Sequence, residues 1–394
     1  MMENFQYYAP TKVVFGKGTE NKAGQLVKEQ NCRKVLIHYG SGSVKRSGLL
    51  DRIFASLDEE GISYISLGGV VPNPRLSLVY EGIDLCRREG VDFILAVGGG
   101  SVIDSAKAIG YGVENEGDVW DFYERKRQAC GCLPIGVVLT IAAAGSEMSD
   151  SSVITNENGW LKRGYNSSYC RPKFAVMNPE LTMTLPKYQT ASGCVDIMMH
   201  TMERYFTNGG NMELTDGISE HLLRTVMKNA KILMDEPQCY KARAEVMWAG
   251  SLSHNGLMAC GNDGGDWACH QLEHELGGMF DVAHGAGLAA VWGSWARYVC
   301  DALPDRFEQF AVNVMGVENG DDKNAVIQKG IEAMENFFRQ IEMPTDLGGL
   351  NIEVSEDQMK ELALKCSHFG KRTIGCVKKL NQEDIYRIYQ KAAD

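Results

Sequence analysis

The sequence predicts an α/β domain with a parallel sheet over residues 1–185 and an all-helical domain over residues 186–394. Three observations carry this expectation. Strand-like and helix-like segments alternate through the first half. Strand-like runs disappear after about Leu185, and Leu185–Pro186 offers a boundary. Two glycine-rich turns sit directly after strand-like runs. A length of 394 residues suits two domains of roughly 150 residues or somewhat more.

The strand-like runs are short and β-branched or aromatic: Lys12–Phe15, Val35–Tyr39, Ser63–Leu67, Phe93–Val97, Ile135–Thr140 and Phe174–Met177. Between them, Ser47–Leu57 places Leu49, Leu50, Ile53, Phe54 and Leu57 on one helical face. Leu76–Arg88 does the same with Leu78, Val79, Ile83 and Leu85. Strand–helix–strand units require crossovers and hence a mostly parallel sheet. The continuous apolar run Phe93–Val97 suits a strand covered on both faces. In the second half, Leu222–Leu233, Arg243–Met258, Asp305–Met315 and Ala325–Gln340 read as helices. A cleft between two such domains is a usual place for an active site.

Composition narrows the function. Hydrophobic residues make up 44% and charged residues 23%, which excludes disorder as the main state. The net charge of −11 argues against nucleic acid or an anionic membrane as partner, since both need basic faces. Met1 to Pro10 lacks a basic start and apolar run, so no signal peptide is read. The longest apolar stretch, Ile135 to Gly145, falls short of the roughly 18 residues of a membrane span. The twelve cysteines are scattered and form no pair of CxxC motifs, which reads as thiols in a reducing cytoplasm.

Val97-Gly98-Gly99-Gly100-Ser101 follows a strand and opens a helix, Ser101–Ile109. Such a turn lets a phosphate approach the backbone and meet N–H groups at the helix start. Ser101 is placed to cap the helix. Position 103 is Ile, so this is not GxGxxG, and no GK[ST] follows, so it is not a Walker A loop. A tight turn needing positive φ is the structural alternative, but three consecutive glycines exceed that need. Gly40-Ser41-Gly42-Ser43 likewise follows Val35–Tyr39. A ribose-binding Asp or Glu is common at such a strand end, yet none occurs between His38 and Leu50. Lys45 and Arg46 stand there instead. They suit the 2′-phosphate of NADP(H) over NAD(H), or simply form a solvated helix face.

Three of the eight histidines fall within Asp266–Gly285. His270 and His274 lie one helical turn apart, and Asp196 and His200 repeat that spacing. Two such pairs on facing helices form a common metal site. Imidazole and carboxylate suit iron, zinc, manganese or nickel. A straight helix from His270 to His284 would span ~21 Å, so both reach one ion only if the helix breaks. Gly277-Gly278 offers a break. The zincin motif HExxH is absent, because position 271 is Gln. His221, His254 and His368 have no such context and read as ordinary hydrogen-bonded histidines.

Nearly end to end, these residues resemble the iron-containing (group III) alcohol dehydrogenases, particularly the butanol dehydrogenase and aldehyde reductase branch. The resemblance rests on Val71-Pro72-Asn73-Pro74, Gly98–Ser101 with Asp104 and Lys107, and Gly145-Ser146-Glu147. Asp196 with His200 and the stretch Asp266–Gly285 complete it. It implies a nicotinamide coenzyme on the first domain and a divalent metal, Fe2+ or Zn2+, on the second. By position, the metal ligands would be Asp196, His200, His270 and His284. His274 would be a catalytic proton-relay or positioning residue near the nicotinamide. Gly98, Gly99, Gly100 and Ser101 would hold the pyrophosphate. Gly40, Ser41, Gly42, Ser43, Asn73, Asp104, Thr140, Ser149 and Lys162 would complete the coenzyme site. The resemblance also implies a small alcohol or aldehyde substrate and a homodimer. The sequence departs from the family at Leu139, Ile141 and Ala144, where a Pro and further Thr residues are usual, and at Asn178 in place of Asp.

The chemistry that follows is metal-assisted hydride transfer between a primary alcohol and nicotinamide C4, or from reduced nicotinamide to an aldehyde. Glycerol dehydrogenase-like and dehydroquinate synthase-like enzymes share the architecture. A metal-dependent hydrolase would read Gly98–Ser101 as a substrate phosphate cradle.

Overall fold

The computed structural model describes residues 2–210 and 212–393. The chain divides into two compact units. One comprises Tyr8–Thr184; the other comprises Leu185–Asp394 with the first seven residues.

The first unit is built on a six-stranded parallel sheet. Its strands are β1 (Lys12–Phe15), β2 (Lys34–Gly40), β3 (Ser63–Val70), β4 (Phe93–Gly98), β5 (Ile135–Leu139) and β8 (Phe174–Met177), in the order β1-β8-β5-β4-β2-β3. All their pairings are parallel; Ile37 of β2, for example, pairs with Leu95 of β4. Val35, Ile37 and Tyr39 of β2 and Phe93, Leu95 and Val97 of β4 pack against Leu50, Ile53 and Leu57 of the helix Leu49–Glu59. β4 is buried along its whole length, as its unbroken apolar run requires.

The strand order decides where a ligand can sit. From β2 the chain moves outward to β3, whereas from β4 it moves the opposite way to β5. The connections after β2 and β4 therefore diverge from adjacent carboxyl ends, which is a topological switch point. The two glycine turns occupy those two ends.

Two further strands, β6 (Ser151–Asn156) and β7 (Leu161–Asn166), form an antiparallel hairpin outside the main sheet. They lie outside the six strand-like runs that the sequence predicts. Asp104 and Lys107, on the helix Gly100–Glu114, anchor the hairpin. Val153 N–H donates to Asp104 Oδ2 at 2.9 Å. Lys107 is fully buried and donates to the carbonyls of Ser146, Ser149 and Ser151 at 2.8, 3.0 and 2.7 Å.

The second unit holds no strand among its described residues. It contains the helices Lys187–Tyr205, Glu213–Asp235, Tyr240–His254, Ala268–Phe280, His284–Val299, Pro304–Asn313, Lys323–Gln340, Glu356–Cys366 and Gln382–Ala393. Trp292 and Trp295 on the helix His284–Val299 are buried among Phe206, Phe307, Phe310 and Phe338. The helix expected over Arg243–Met258 ends at His254, and Leu257–Ala259 forms a separate short turn after Gly256, whose φ is +99°. No described helix is long and apolar enough to cross a membrane. None of the twelve cysteines is in a disulfide.

Candidate active site

The metal-ligand candidates lie on three helices of the second unit. Asp196 and His200 are one turn apart on Lys187–Tyr205, His270 is on Ala268–Phe280, and His284 is the first residue of His284–Val299. The break needed between His270 and His284 exists, but not at Gly277-Gly278. The helix runs through those glycines to Phe280 and ends at Asp281, whose φ is +53°. Both glycines keep helical hydrogen bonding available, whereas Asp281 adopts the left-handed conformation that stops a helix. The helix His284–Val299 then starts against Lys187–Tyr205 at backbone range. A Cβ on Gly285 would lie 1.9 Å from the Ser192 carbonyl oxygen, so only glycine lets His284 come this close to Asp196.

Asp196, His270 and His284 each offer one ligand atom within 4.8 Å of the other two. Asp196 Oδ1 lies 3.8 Å from His270 Nε2, 3.6 Å from His284 Nε2 and 3.2 Å from His200 Nδ1. His200 thus touches the aspartate but stands outside the mutually close trio. Donors on a tetrahedral ion with bonds of ~2.0–2.1 Å are about 3.3–3.4 Å apart, so these separations suit a small cation. Asp196 Oδ1, His200 Nδ1 and His270 Nε2 are buried and have no hydrogen-bond partner. An unanswered buried polar atom costs about 1–3 kcal/mol, and a divalent cation would satisfy all three. The donor set therefore fits the metal that the sequence implies.

Two carboxylates outside the predicted ligand set orient the imidazoles. Glu203 Oε1 accepts from the His270 backbone N–H at 2.9 Å and faces His270 Nδ1 at 3.0 Å. Glu273 Oε2 contacts His284 Nδ1. Both arrangements turn Nε2 toward Asp196, as in carboxylate–histidine–metal sites. The signal was available: Glu203 is one turn beyond His200 and Glu273 is three residues beyond His270.

Burial and neighbours set the protonation. Burial pulls His270 down, but the adjacent Asp196 and Glu203 carboxylates outweigh it and push the imidazole up to about 9. Burial, then the neighbouring His254 and His270, hold His200 well below its ordinary value, in the neutral form a ligand needs. His254, given no context by the sequence, proves to pack on His200 with ring centroids 4.0 Å apart. Helix Tyr240–His254 brings it there from a distance in sequence that no local spacing reveals. His274 is half-buried, its ring 5.9 Å from that of His284. His221 is exposed and His368 half-buried.

In the first unit the two glycine turns emerge side by side. Tyr39 pairs with Val97 immediately before Gly40 and Gly98. None of Gly98, Gly99 and Gly100 has positive φ, so turn conformation does not explain them. Close approach does: a Cβ on Gly99 would lie 3.0 Å from Ile141, and one on Gly100 would lie 2.9 Å from Ala144. Two of the residues that depart from the family pattern therefore line this turn. Ser101 does not cap the helix. The helix begins at Gly100 with Gly99 as its N-cap, which places Ser101 within the first turn. Ser41 and Ser43 are exposed, as are Lys45 and Arg46. Asn73 is buried with φ +52°, and Lys162 is buried on β7. Thr140 follows β5, its N–H donating to the Gly98 carbonyl at 3.0 Å. Asp104 accepts from Ser146 Oγ at 2.6 Å, and Ser149 is buried beside Lys107.

A parallel sheet with glycine turns at its switch point in one unit, and a buried Asp–His cluster that could hold a cation in the other, fit a metal-dependent oxidoreductase. The model of iron-containing alcohol dehydrogenases matches residues 10–179, and that of the Fe-containing alcohol dehydrogenase family C-terminal region matches residues 190–393. The chain belongs to the iron-containing alcohol dehydrogenase family. It is an alcohol/aldehyde oxidoreductase of butanol dehydrogenase type. It is 40% identical to the NADH-dependent butanol dehydrogenase A of Clostridium acetobutylicum, over 99% of this chain and 100% of that protein. It is 34% identical to the NADPH-dependent aldehyde reductase YqhD of Escherichia coli, over 99% and 100%. The crystal structure of NADH-dependent butanol dehydrogenase A from Thermotoga maritima superposes with a TM-score of 0.96 at 40% identity, covering 100% of this chain and 99% of that one.

Proposed function

We propose that the protein reduces short aliphatic aldehydes such as butanal, and oxidises the corresponding primary alcohols, with NADP(H) preferred and NAD(H) accepted. The observation that carries the reading is the convergence of Asp196 with His200, His270 and His284 around three unsatisfied buried donor atoms. These four residues would hold one divalent ion, Fe2+ or Zn2+. When bound, the ion supplies Lewis-acid polarisation of the substrate oxygen, and the nicotinamide supplies or accepts the hydride. Glu203 and Glu273 fix the tautomers of His270 and His284 so that Nε2 faces the ion. His274 is the residue proposed to carry the proton between the substrate oxygen and solvent.

The coenzyme reading rests on the switch point of the sheet. Gly98, Gly99, Gly100 and Ser101 would receive the pyrophosphate at the start of a helix, where backbone N–H groups and the helix dipole favour an anion. Gly40 to Ser43, Asn73, Thr140 and Lys162 would surround the remainder, with Asp104 and Ser149 holding the Ser146–Ser151 segment in place. Lys45 and Arg46 stand exposed beside Gly42, and no carboxylate intervenes, which supports a 2′-phosphate. The relatives' names include both coenzymes and set no preference. A homodimer and a cytoplasmic location complete the proposal; sedimentation analysis tests the first.

The test is butanal reduction followed at 340 nm with NADPH and with NADH, repeated after chelation. Turnover with either coenzyme, faster with NADPH and lost on chelation, is expected. Full turnover after metal removal refutes the metal reading. Failure to bind coenzyme would favour a hydrolase.

A further inference from the structure

We propose a second divalent-cation site formed by Glu273, His274 and His284, adjacent to the first and sharing His284 with it. The proposal rests on the metal reading of Asp196, His200, His270 and His284, and extends it to the path by which an ion arrives.

Each of the three residues offers a ligand atom within 4.8 Å of the other two. They combine a carboxylate and two imidazoles, which suits zinc or another borderline divalent ion. The two clusters differ in exposure. The side chains of Asp196, His200 and His270 are each 5% exposed; in the other cluster Glu273 is fully buried, but His284 is 27% exposed and His274 is half-buried. His284 is therefore the solvent-side member of the inner cluster and also belongs to the outer one. Its two ring nitrogens face different clusters: Nε2 points at Asp196 Oδ1, 3.6 Å away, and Nδ1 meets Glu273 Oε2.

This arrangement gives the outer cluster a function. A buried site needs an entry route, because an ion must exchange its water for protein donors stepwise. Of the two further donors, His274 is half-buried and so reachable from solvent, whereas Glu273 is fully buried. With Nδ1 on the outer donors and Nε2 on the inner ones, the imidazole connects the two clusters along one route. The outer site must be the weaker one. Occupying His284 Nδ1 in the loaded enzyme releases its proton to solvent, leaving a bridging imidazolate, and removes the contact with Glu273 that aims Nε2 at the inner ion. An ion held outside also engages His274, so excess metal would block the proton relay proposed for that residue.

The test is calorimetric titration of the metal-loaded enzyme with Zn2+, with elemental analysis after each addition, and metal uptake by the stripped enzyme in stopped flow. The wild type is expected to take a second, weaker equivalent. In His274→Asn and Glu273→Gln the second equivalent should weaken by about tenfold or more, with the first retained. First-equivalent uptake by stripped His274→Asn should slow while its final stoichiometry stays at one. A loaded wild type that binds no second Zn2+, or variants that bind it unchanged, overturn the proposal. Loss of the first equivalent from the wild type would instead refute the inner site on which it rests. Gln at 273 still accepts a hydrogen bond from His284, so a folded Glu273→Gln variant keeps the test decisive if His274→Asn fails to fold.

Discussion

Replacing Glu203 with Gln isolates what a carboxylate behind an imidazole does for metal binding. Gln retains an oxygen that can accept from His270 N and Nδ1, now 2.9 and 3.0 Å from Glu203 Oε1, but it lacks the charge. Two effects then oppose each other. Losing the carboxylate makes His270 a poorer ligand, by about 10–100-fold in metal affinity. It also makes His270 a poorer base. In the wild type without metal, burial lowers the imidazole but Asp196 and Glu203 overcompensate, pushing it up to about 9. At pH 7 that proton must be displaced, which weakens apparent metal binding by about a hundredfold, or ~2.7 kcal/mol. The variant loses the Glu203 share of that rise while Asp196 remains, so it escapes part of this competition. The gap between the two proteins should therefore be smaller at pH 7 than at pH 9, where the variant binds about tenfold or more weakly. Competition titration of stripped protein against a chromophoric chelator across this range measures the difference. Equal affinity at pH 9, or a gap that closes as pH rises, would refute the reasoning.

Other perturbations read different parts of the structure. Gly285→Ala drives a Cβ to 1.9 Å from the Ser192 carbonyl, so it should cost about 1–3 kcal/mol or more in thermal unfolding and lower metal retention. Lys107→Met leaves the Ser146, Ser149 and Ser151 carbonyls without their buried donor. Calorimetry should show a loss of about 3 kcal/mol or more. Lys45→Ala combined with Arg46→Ala should raise the KM for NADPH by about tenfold and leave that for NADH unchanged; equal changes in both would remove the 2′-phosphate reading.

The sheet and its glycine turns were legible because β4 and β2 are apolar runs ended abruptly by glycine, a pattern that local sequence carries in full. The β6–β7 hairpin was not, because Lys162 and Arg163 make β7 look polar. Both are buried, at 4% and 9% exposure, through contacts that periodicity cannot register. An Asn158-Gly159 turn signal between the strands was nonetheless present, with Gly159 at φ +87°. The pairings Asp196–His200 and His270–His284 were readable from spacing and resemblance. The position of the helix break was not, since Gly277-Gly278 is the stronger local signal and Asp281 stops the helix instead. His254 was invisible for a different reason: it reaches His200 only because two helices separated in sequence pack together.

Asp196, His200, His270 and His284 are proposed to hold one ion. Anomalous diffraction at the metal edge, from crystals loaded with one equivalent of Fe2+ or Zn2+, tests it most directly. A single strong peak within about 2.0–2.3 Å of all four side chains is expected. A loaded, active crystal whose peak lies elsewhere, or that touches Asp196 and the imidazoles at none of these positions, would contradict it.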